Sequence, residues 1–413
     1  MARIQAPKAK GYQRISLLTI FSRIFGHQSK NFYWIFGTSQ FIVVFGMAMV
    51  LSSSSVDSLT TYNNPYYVFF RQLAFGAIGF VGMLTISILP LDKIMSWGRI
   101  FFVGGLAAQL LVFSPLGVSV GGNRNWIKIL GITFQPSEFI KLGLILVLAE
   151  RLAKQEFRIH DIREFLYRSW IFLVVPAVVL VVIGNDLGTT LIIALIAFGV
   201  TWMTGIQTSH LRGVAAVAVI AVFAMVQFGS SRSGRISAWI SQGTDDSSTY
   251  AWQSQHGIWA LAAGSFTGVG LGNSKLKWSW IPEVDNDYIF AIIGEETGLI
   301  GAAITIALFL ALVILIRQTL VRANNSFIRN ASAGIMIWIG FQSLTNVSVV
   351  VQNLPVLGVP LPLVSSGGSS LISAMFAIGV MLAFERHIHQ EEQMGGQRVT
   401  PLERARNRRM ARR

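Results

Sequence analysis

The chain has 413 residues, of which 53% are hydrophobic and 13% charged, with a mean hydropathy of +0.57. A soluble domain carries about 25% charged residues, so the composition excludes an ordinary soluble protein and points to a polytopic membrane protein. The absence of cysteine excludes disulfides and thiolate metal sites, and the +14 charge lies mostly between and beyond apolar runs, which suits lipid headgroups rather than nucleic acid.

Residues 1–32 form a basic lead with Arg3, Lys8, Lys10, Arg14, Arg23 and Lys30 and no small-residue cleavage site. Ten apolar runs of membrane length follow, at 33–53, 67–89, 98–115, 136–153, 169–184, 189–205, 213–229, 288–317, 331–351 and 369–385. Basic residues recur in alternate connections: Lys93 and Arg99, then Arg151, Lys154, Arg158, Arg163 and Arg168, then Arg212, then Arg317, Arg322 and Arg329. The tail after 385 holds eight arginines, whereas the connections at 52–66 and 352–368 hold no base. The positive-inside rule therefore makes both termini cytoplasmic and puts 116–135, 184–188, 230–287 and 352–368 outside. The expected fold is all-α: a ten-helix transmembrane bundle over 33–385 with a large outer loop, 230–287, between the seventh and eighth helices. Trp252, Trp259, Trp278 and Trp280 predict order in that loop at the membrane interface. The polar tail, 386–413, is expected to be disordered.

The chemistry concentrates where this loop enters the eighth run. Glu283, Asp285 and Asp287 precede it, and Glu295 and Glu296 lie inside it. Carboxylates are costly in a membrane, which marks a functional region. No nucleotide pool exists outside, so an enzyme on that face needs a lipid-borne activated substrate such as a lipid-linked pyrophosphate sugar. Transfer to a hydroxyl then needs one base and cations for the pyrophosphate. Asp287 can be the base, and it can equally be an N-cap. The outer cations are few: Arg71, Arg124, Lys128, Arg232, Arg235, Lys275 and Lys277, with Lys141 deeper. Glu295 and Glu296 could instead pair with Lys141 or Arg71 and hold the bundle together. Asp186 reads as a cap, Arg124 and Lys128 can simply solvate a loop, and the run from Ser365 to Ser370 reads as a helix-entry turn. The glycines at 268, 270 and 272 lack the strand and helix of a dinucleotide site. No metal-ligand spacing is present.

Four blocks in order resemble the SEDS family (shape, elongation, division and sporulation): GGNRNWI at 121–127 with FQPSE at 134–138 and Lys141; NDLGT at 185–189; 268–296 with Asp287; and LPVLGVPLPLVSSGGSSL at 354–371. The resemblance covers nearly all of 33–385. It implies a peptidoglycan glycosyltransferase that polymerises lipid II beside a class B penicillin-binding protein and other divisome membrane proteins. In the family, the aspartate matching Asp287 is catalytic, and Arg71, Gln135, Ser137, Glu138 and Lys141 match residues that line or support the central cavity. Asp186, Ser365, Ser366, Glu296, Lys275 and Arg124 are further substrate-binding candidates. A divalent cation (Mg or Mn) could assist, and no other cofactor is implied. The pattern is nearer the division type than the elongation type; a lipid II flippase and a recruiting scaffold are the alternatives. Three departures stand out: Gly184 and Asn185 replace the usual Gln-Pro before Asp186, Ser366 replaces Tyr, and Asn286 replaces Thr.

Overall fold

The computed structural model describes residues 24–120, 122–129, 131–154, 166–204, 212–213, 230–240, 249–275, 277–278 and 284–398. In chain order they form α1 (Lys30–Tyr62), α2 (Tyr67–Ser87), α3 (Leu91–Leu111), strands β1 (Gly117–Val120), β2 (Asn123–Ile129) and β3 (Ile132–Phe134), α4 (Pro136–Lys154), a π-helical stretch Leu166–Val174 that continues as α5 (Val175–Ile183), α6 (Leu187–Met203), α7 (Ser230–Ile240), α8 (Thr249–Gly264), α9 (Ile289–Arg322), α10 (Ser326–Val350) and α11 (Gly368–Arg398). Six of the helices are long and apolar enough to cross a membrane, and Ser169–Ile183 and Leu187–Met203 are shorter apolar helices. The run expected at 213–229 lies almost wholly outside the described residues.

The polarity of the fold is that of a membrane protein. Large apolar side chains face outward, among them Val44, Ile78, Val81, Ile100, Val103, Leu310 and Val321, while Glu138, Lys141, Glu295, Glu296 and Glu385 are buried. In a bilayer the tails solvate the former, and the latter must find partners inside the bundle. Helix contacts are close: a Cβ at Gly143 of α4 would overlap the backbone of α3 at Phe102, the small-residue packing common between membrane helices.

Several ends are written locally. Ser29 caps α1 by accepting from Phe32 N, and the left-handed Asn63 closes it. Asn325 caps α10 by accepting from Phe327 N. Pro176 opens α5, and the preceding turn relaxes to π geometry where proline can neither donate nor fit the regular register.

Four expectations change. Residues 52–62, expected as a connection, continue α1, because Ser53 and Ser54 bond back to Val50 O and Ser55 to Ser52 O, which lets a polar run remain helical. The described residues within 117–134 form an antiparallel meander, β1-β2-β3, amid the helices of the other described residues. Its strands alternate β-branched and aromatic residues between left-handed glycines, Gly122 (φ 83°) and Gly131 (φ 84°). The 230–287 loop contains, among its described residues, two helices, α7 and α8. The tail is helical to Arg398 rather than disordered from 386, held by Arg322 on Glu385 (3.1 Å) and Glu392 (2.9 Å) and by His387 on Glu391 (3.2 Å).

Candidate active site

The site grows from a polar seam through the bundle. Asp186 caps α6: its Oδ1 accepts from Thr189 N (2.9 Å), and its Oδ2 accepts from Thr189 Oγ1 (2.8 Å) and Gln135 Nε2 (3.1 Å). Gln135 N donates to Ser369 Oγ (3.2 Å), which ties the start of α4 to the start of α11. One turn into α4, Lys141 Nζ meets Glu138 Oε1 (2.8 Å) and Gln342 Oε1 (2.8 Å) and lies 4.9 Å from the Trp338 ring centroid. Glu138 and Lys141 are each 1% exposed, so this pair carries its own neutralisation. Ser137 Oγ is buried with no hydrogen-bond partner among the described residues.

The seam continues on α10. Gln342 accepts from Trp338 Nε1 (2.7 Å) and donates to Pro360 O (2.9 Å). Asn346 donates to both Asp287 O and Val359 O, each at 2.8 Å. Trp338, Gln342 and Asn346 recur every four residues, one face of a helix. Sequence reasoning passed over all three, although polar side chains at that spacing in an apolar run were the available signal.

Asp287 thus sits at the mouth of α9 with its carbonyl fixed to Asn346 of α10, which also holds the 357–370 loop through Val359 O. That loop is fixed to 285–287 from its other side: Ser365 Oγ donates to Asn286 O (2.6 Å) and Ser366 N to Asp285 O (2.8 Å), while Gln72 Nε2 of α2 donates to Ser365 O (2.9 Å). Gly358 adopts φ 67°, and a Cβ there would lie 3.4 Å from Asp287 Oδ2 and 3.8 Å from Arg235 Nη1. The Asp287 carboxylate and the Arg235 guanidinium therefore surround one point above the loop. Arg235 also donates to Val356 O (3.3 Å). No side-chain cap bond starts α9, whose cap position is Tyr288, so the N-cap reading of Asp287 is not what the geometry uses.

Two neighbours have displaced acidities. Burial pushes the Asp285 carboxyl above its ordinary 3.8, partly offset by a hydrogen bond from Ser366 and the charge of Arg71, with Asp57 adding to the rise. Burial pushes Tyr288 up to about 12, with the Asp287 charge adding to it and a bond with Ser254 opposing it.

Other candidates sit apart. The Arg124 guanidinium donates to Val112 O (3.2 Å), Phe113 O (3.4 Å) and Ser114 O (3.2 Å), so it closes the end of α3. Glu295 accepts from Ser274 Oγ and Lys275 N (3.0 Å), and Glu296 accepts from Ser52 Oγ (2.6 Å) and Ser274 N (3.4 Å). They tie the bundle together, but not through Lys141 or Arg71: hydroxyls and backbone N–H groups serve instead, and the Lys275 side chain is exposed. These contacts surround a break in α9 at Gly298 (φ 69°, ψ −169°). There Val269 N and Gly270 N donate to Glu295 O and Glu296 O (3.0 and 3.1 Å), and Leu299 N and Ile300 N donate to Ser265 O and Phe266 O (2.9 and 3.2 Å). The glycine-rich 268–272 turn is a plug for a broken helix. Among the described residues no cluster of three His, Cys, Asp or Glu could hold a metal ion.

A family model described as cell cycle protein, covering FtsW, RodA and SpoVE, matches residues 33–390. The chain belongs to this family. A Geobacter sp. (strain M18) protein named "Probable peptidoglycan glycosyltransferase FtsW" is 31% identical over 344 residues, covering 83% of this chain and 93% of that one. A protein of the same name from Mycobacterium tuberculosis is 31% identical over 374 residues, covering 89% and 70%. Among solved structures, a chain of a peptidoglycan synthase complex that coordinates polymerization and crosslinking aligns at TM-score 0.72 and 23% identity, covering 89% of this chain and all of that one. Thermus thermophilus RodA, a rod shape determining protein, aligns at TM-score 0.64 and 21% identity, covering 88% and 98%. At these identities the structures speak for the fold.

Proposed function

We propose that this chain is a peptidoglycan glycosyltransferase that polymerises lipid II into β-1,4 glycan strands on the outer face of the bacterial plasma membrane, with Asp287 as its general base. The observation that carries the site assignment is the placement of Asp287: at the mouth of α9, fixed through its carbonyl by Asn346, facing Gly358 and the Arg235 guanidinium. A base must be held in position before its pKa matters, and this one is held from α10 and from the 357–370 loop.

Asp287 takes the proton of the acceptor's GlcNAc 4-hydroxyl. That oxygen attacks the anomeric carbon of the donor MurNAc, and undecaprenyl pyrophosphate departs with the bonding pair. A single displacement of an α-linked pyrophosphate inverts the centre to β. Arg71, whose charge acts on Asp285, and Arg235, which shares the space over Gly358 with Asp287, are the cations assigned to the departing pyrophosphate. Lys141 is committed to Glu138 and Gln342 and Arg124 to the end of α3, so they support the site. Both termini are cytoplasmic, the relevant location is the division septum, and the partner is a class B penicillin-binding protein within the division machinery. Residues 1–32 and 386–413 are its basic flanking segments.

A flippase would need charges that a headgroup can reach along the path. Glu295 and Glu296, the obvious ones, are buried and bonded to Ser52, Ser274 and Lys275 N, which favours the polymerase. The test is purified protein with fluorescent lipid II and a divalent cation, with and without the penicillin-binding protein, resolved on a gel beside a lipid II scrambling assay in liposomes. Glycan ladders are the expected result; scrambling without ladders in either condition would reject it.

A further inference from the structure

The end of α4 opposite Asp186 carries a cavity. α4 runs from Pro136, beside the Gln135–Asp186 bond, to Lys154. Its 19 residues span about 28 Å at ~1.5 Å each, close to the ~30 Å hydrocarbon core of a bilayer. At the far end a cavity of about 300 Å³ is lined by Arg99 of α3, Val147, Glu150, Arg151 and Lys154 of α4, and Phe172 and Leu173 of the π-helical stretch.

The lining is organised rather than merely basic. Glu150, with a side chain 9% exposed, accepts Lys154 Nζ at 2.6 Å and faces Arg99 Nη1 at 3.8 Å on the same oxygen. The two cations it positions are 57% and 66% exposed, so they remain available to an outside anion. Arg151 is exposed and makes no ion pair among the described residues. Among the described lining residues, three cations against one carboxylate leave an excess of positive charge. The lining contributed by the π-helical stretch is apolar, with Phe172 56% exposed. A hollow lined by both exposed cations and apolar side chains, about one membrane thickness along α4 from the Gln135–Asp186 bond, matches an amphiphile with an anionic head.

We infer that this cavity binds the phosphodiester headgroup of an anionic phospholipid, with Arg99, Arg151 and Lys154 on the phosphate and Val147, Phe172 and Leu173 against the first part of an acyl chain. The inference rests on the membrane reading of the fold and not on the catalytic reading of Asp287, so each can fail alone.

The test is native mass spectrometry of the full chain in detergent, titrated with phosphatidylglycerol, phosphatidylcholine or inorganic phosphate. Phosphatidylglycerol should bind the parent at defined stoichiometry and weaken as salt rises. The variant carrying Arg99→Gln, Arg151→Gln and Lys154→Gln should bind it at least tenfold more weakly, with phosphatidylcholine adducts unchanged. A control carrying Lys30→Gln, Lys93→Gln and Arg329→Gln, three exposed cations elsewhere, should bind like the parent. Equal binding by the parent and the cavity variant, or an equal loss in the control, would overturn the proposal. Inorganic phosphate binding as tightly as the lipid would also overturn it, by making the ligand a free anion. Should the triple variant unfold in phosphatidylcholine micelles, Arg151→Gln alone breaks no ion pair and must still weaken phosphatidylglycerol; unchanged binding there rejects the site.

Discussion

Replacing Gly298 by alanine attacks the join between the 265–270 turn and α9 at one atom. Gly298 sits at φ 69° and ψ −169°, a region open essentially to glycine alone, so any side chain costs about 1–3 kcal/mol in the backbone. A Cβ would also overlap the backbone at Gly268 and Phe266, which can yield only by moving the 265–270 turn away. That movement removes up to four backbone hydrogen bonds, from Val269, Gly270, Leu299 and Ile300, each contributing about 0.5–1.5 kcal/mol net. The expected cost is then about 3–9 kcal/mol, a large part of a typical stability of about 5–15 kcal/mol. The assay is amide hydrogen exchange in detergent, read at those four residues, beside chemical unfolding in mixed micelles. Gly298→Ala should abolish their protection first and lower global stability. Gly37→Ala and Gly104→Ala, at helical glycines with nothing within 4 Å of an added Cβ, should be neutral or stabilising by up to ~1 kcal/mol. Unchanged protection at Val269 and Gly270 in Gly298→Ala would refute the reasoning.

Lys141→Met leaves Glu138 buried without its cation and should cost about 3–5 kcal/mol; adding Glu138→Gln should recover part of it, and strictly additive losses in unfolding would contradict the pairing. Asn346→Ala strips the partner from two carbonyls and should cost about 2–4 kcal/mol, with turnover falling more than substrate affinity because Asp287 loses its anchor; kcat and KM measured separately check this. Asp285 has a raised folded pKa, so its protonated form is favoured by folding. Its contribution to stability is full below the unfolded value near 3.8 and is lost as pH rises through the elevated folded value. Unfolding measured against pH should show this decline in the parent, and Asp285→Asn should flatten it.

How much of this was legible beforehand depends on period and side. The spans at 67–89 and 331–351 fall within a few residues of α2 and α10 at most ends, because long apolar runs declare themselves. The extension of α1 through Ser52–Ser55 did not, since local back-bonding keeps serines helical where polarity suggests a loop. The meander within 117–134 was hidden because a connection in a helical chain carries no prior for strands, although its alternation was present. At the site, Lys141 and Asp186 stand out as rare charged groups in apolar surroundings, whereas Glu138 and the serines of the 365–370 run become site candidates through the family resemblance. Partners could not be read this way: that Glu295 would meet Ser274 rather than a cation depends on the left-handed glycines folding 265–275 back onto α9. The contacts of Arg124 were hidden for a similar reason, since only the folded end of α3 brings three carbonyls to its guanidinium.

The central claim is that Asp287 is the base of glycan polymerisation, and the most direct measurement is the lipid II turnover rate of Asp287→Asn against the parent, with both unfolding at the same midpoint in detergent. Loss of a positioned general base should lower turnover by about 10²–10⁴-fold while leaving lipid II binding within a few fold. A folded Asp287→Asn protein that still builds glycan ladders within tenfold of the parent rate would contradict the account.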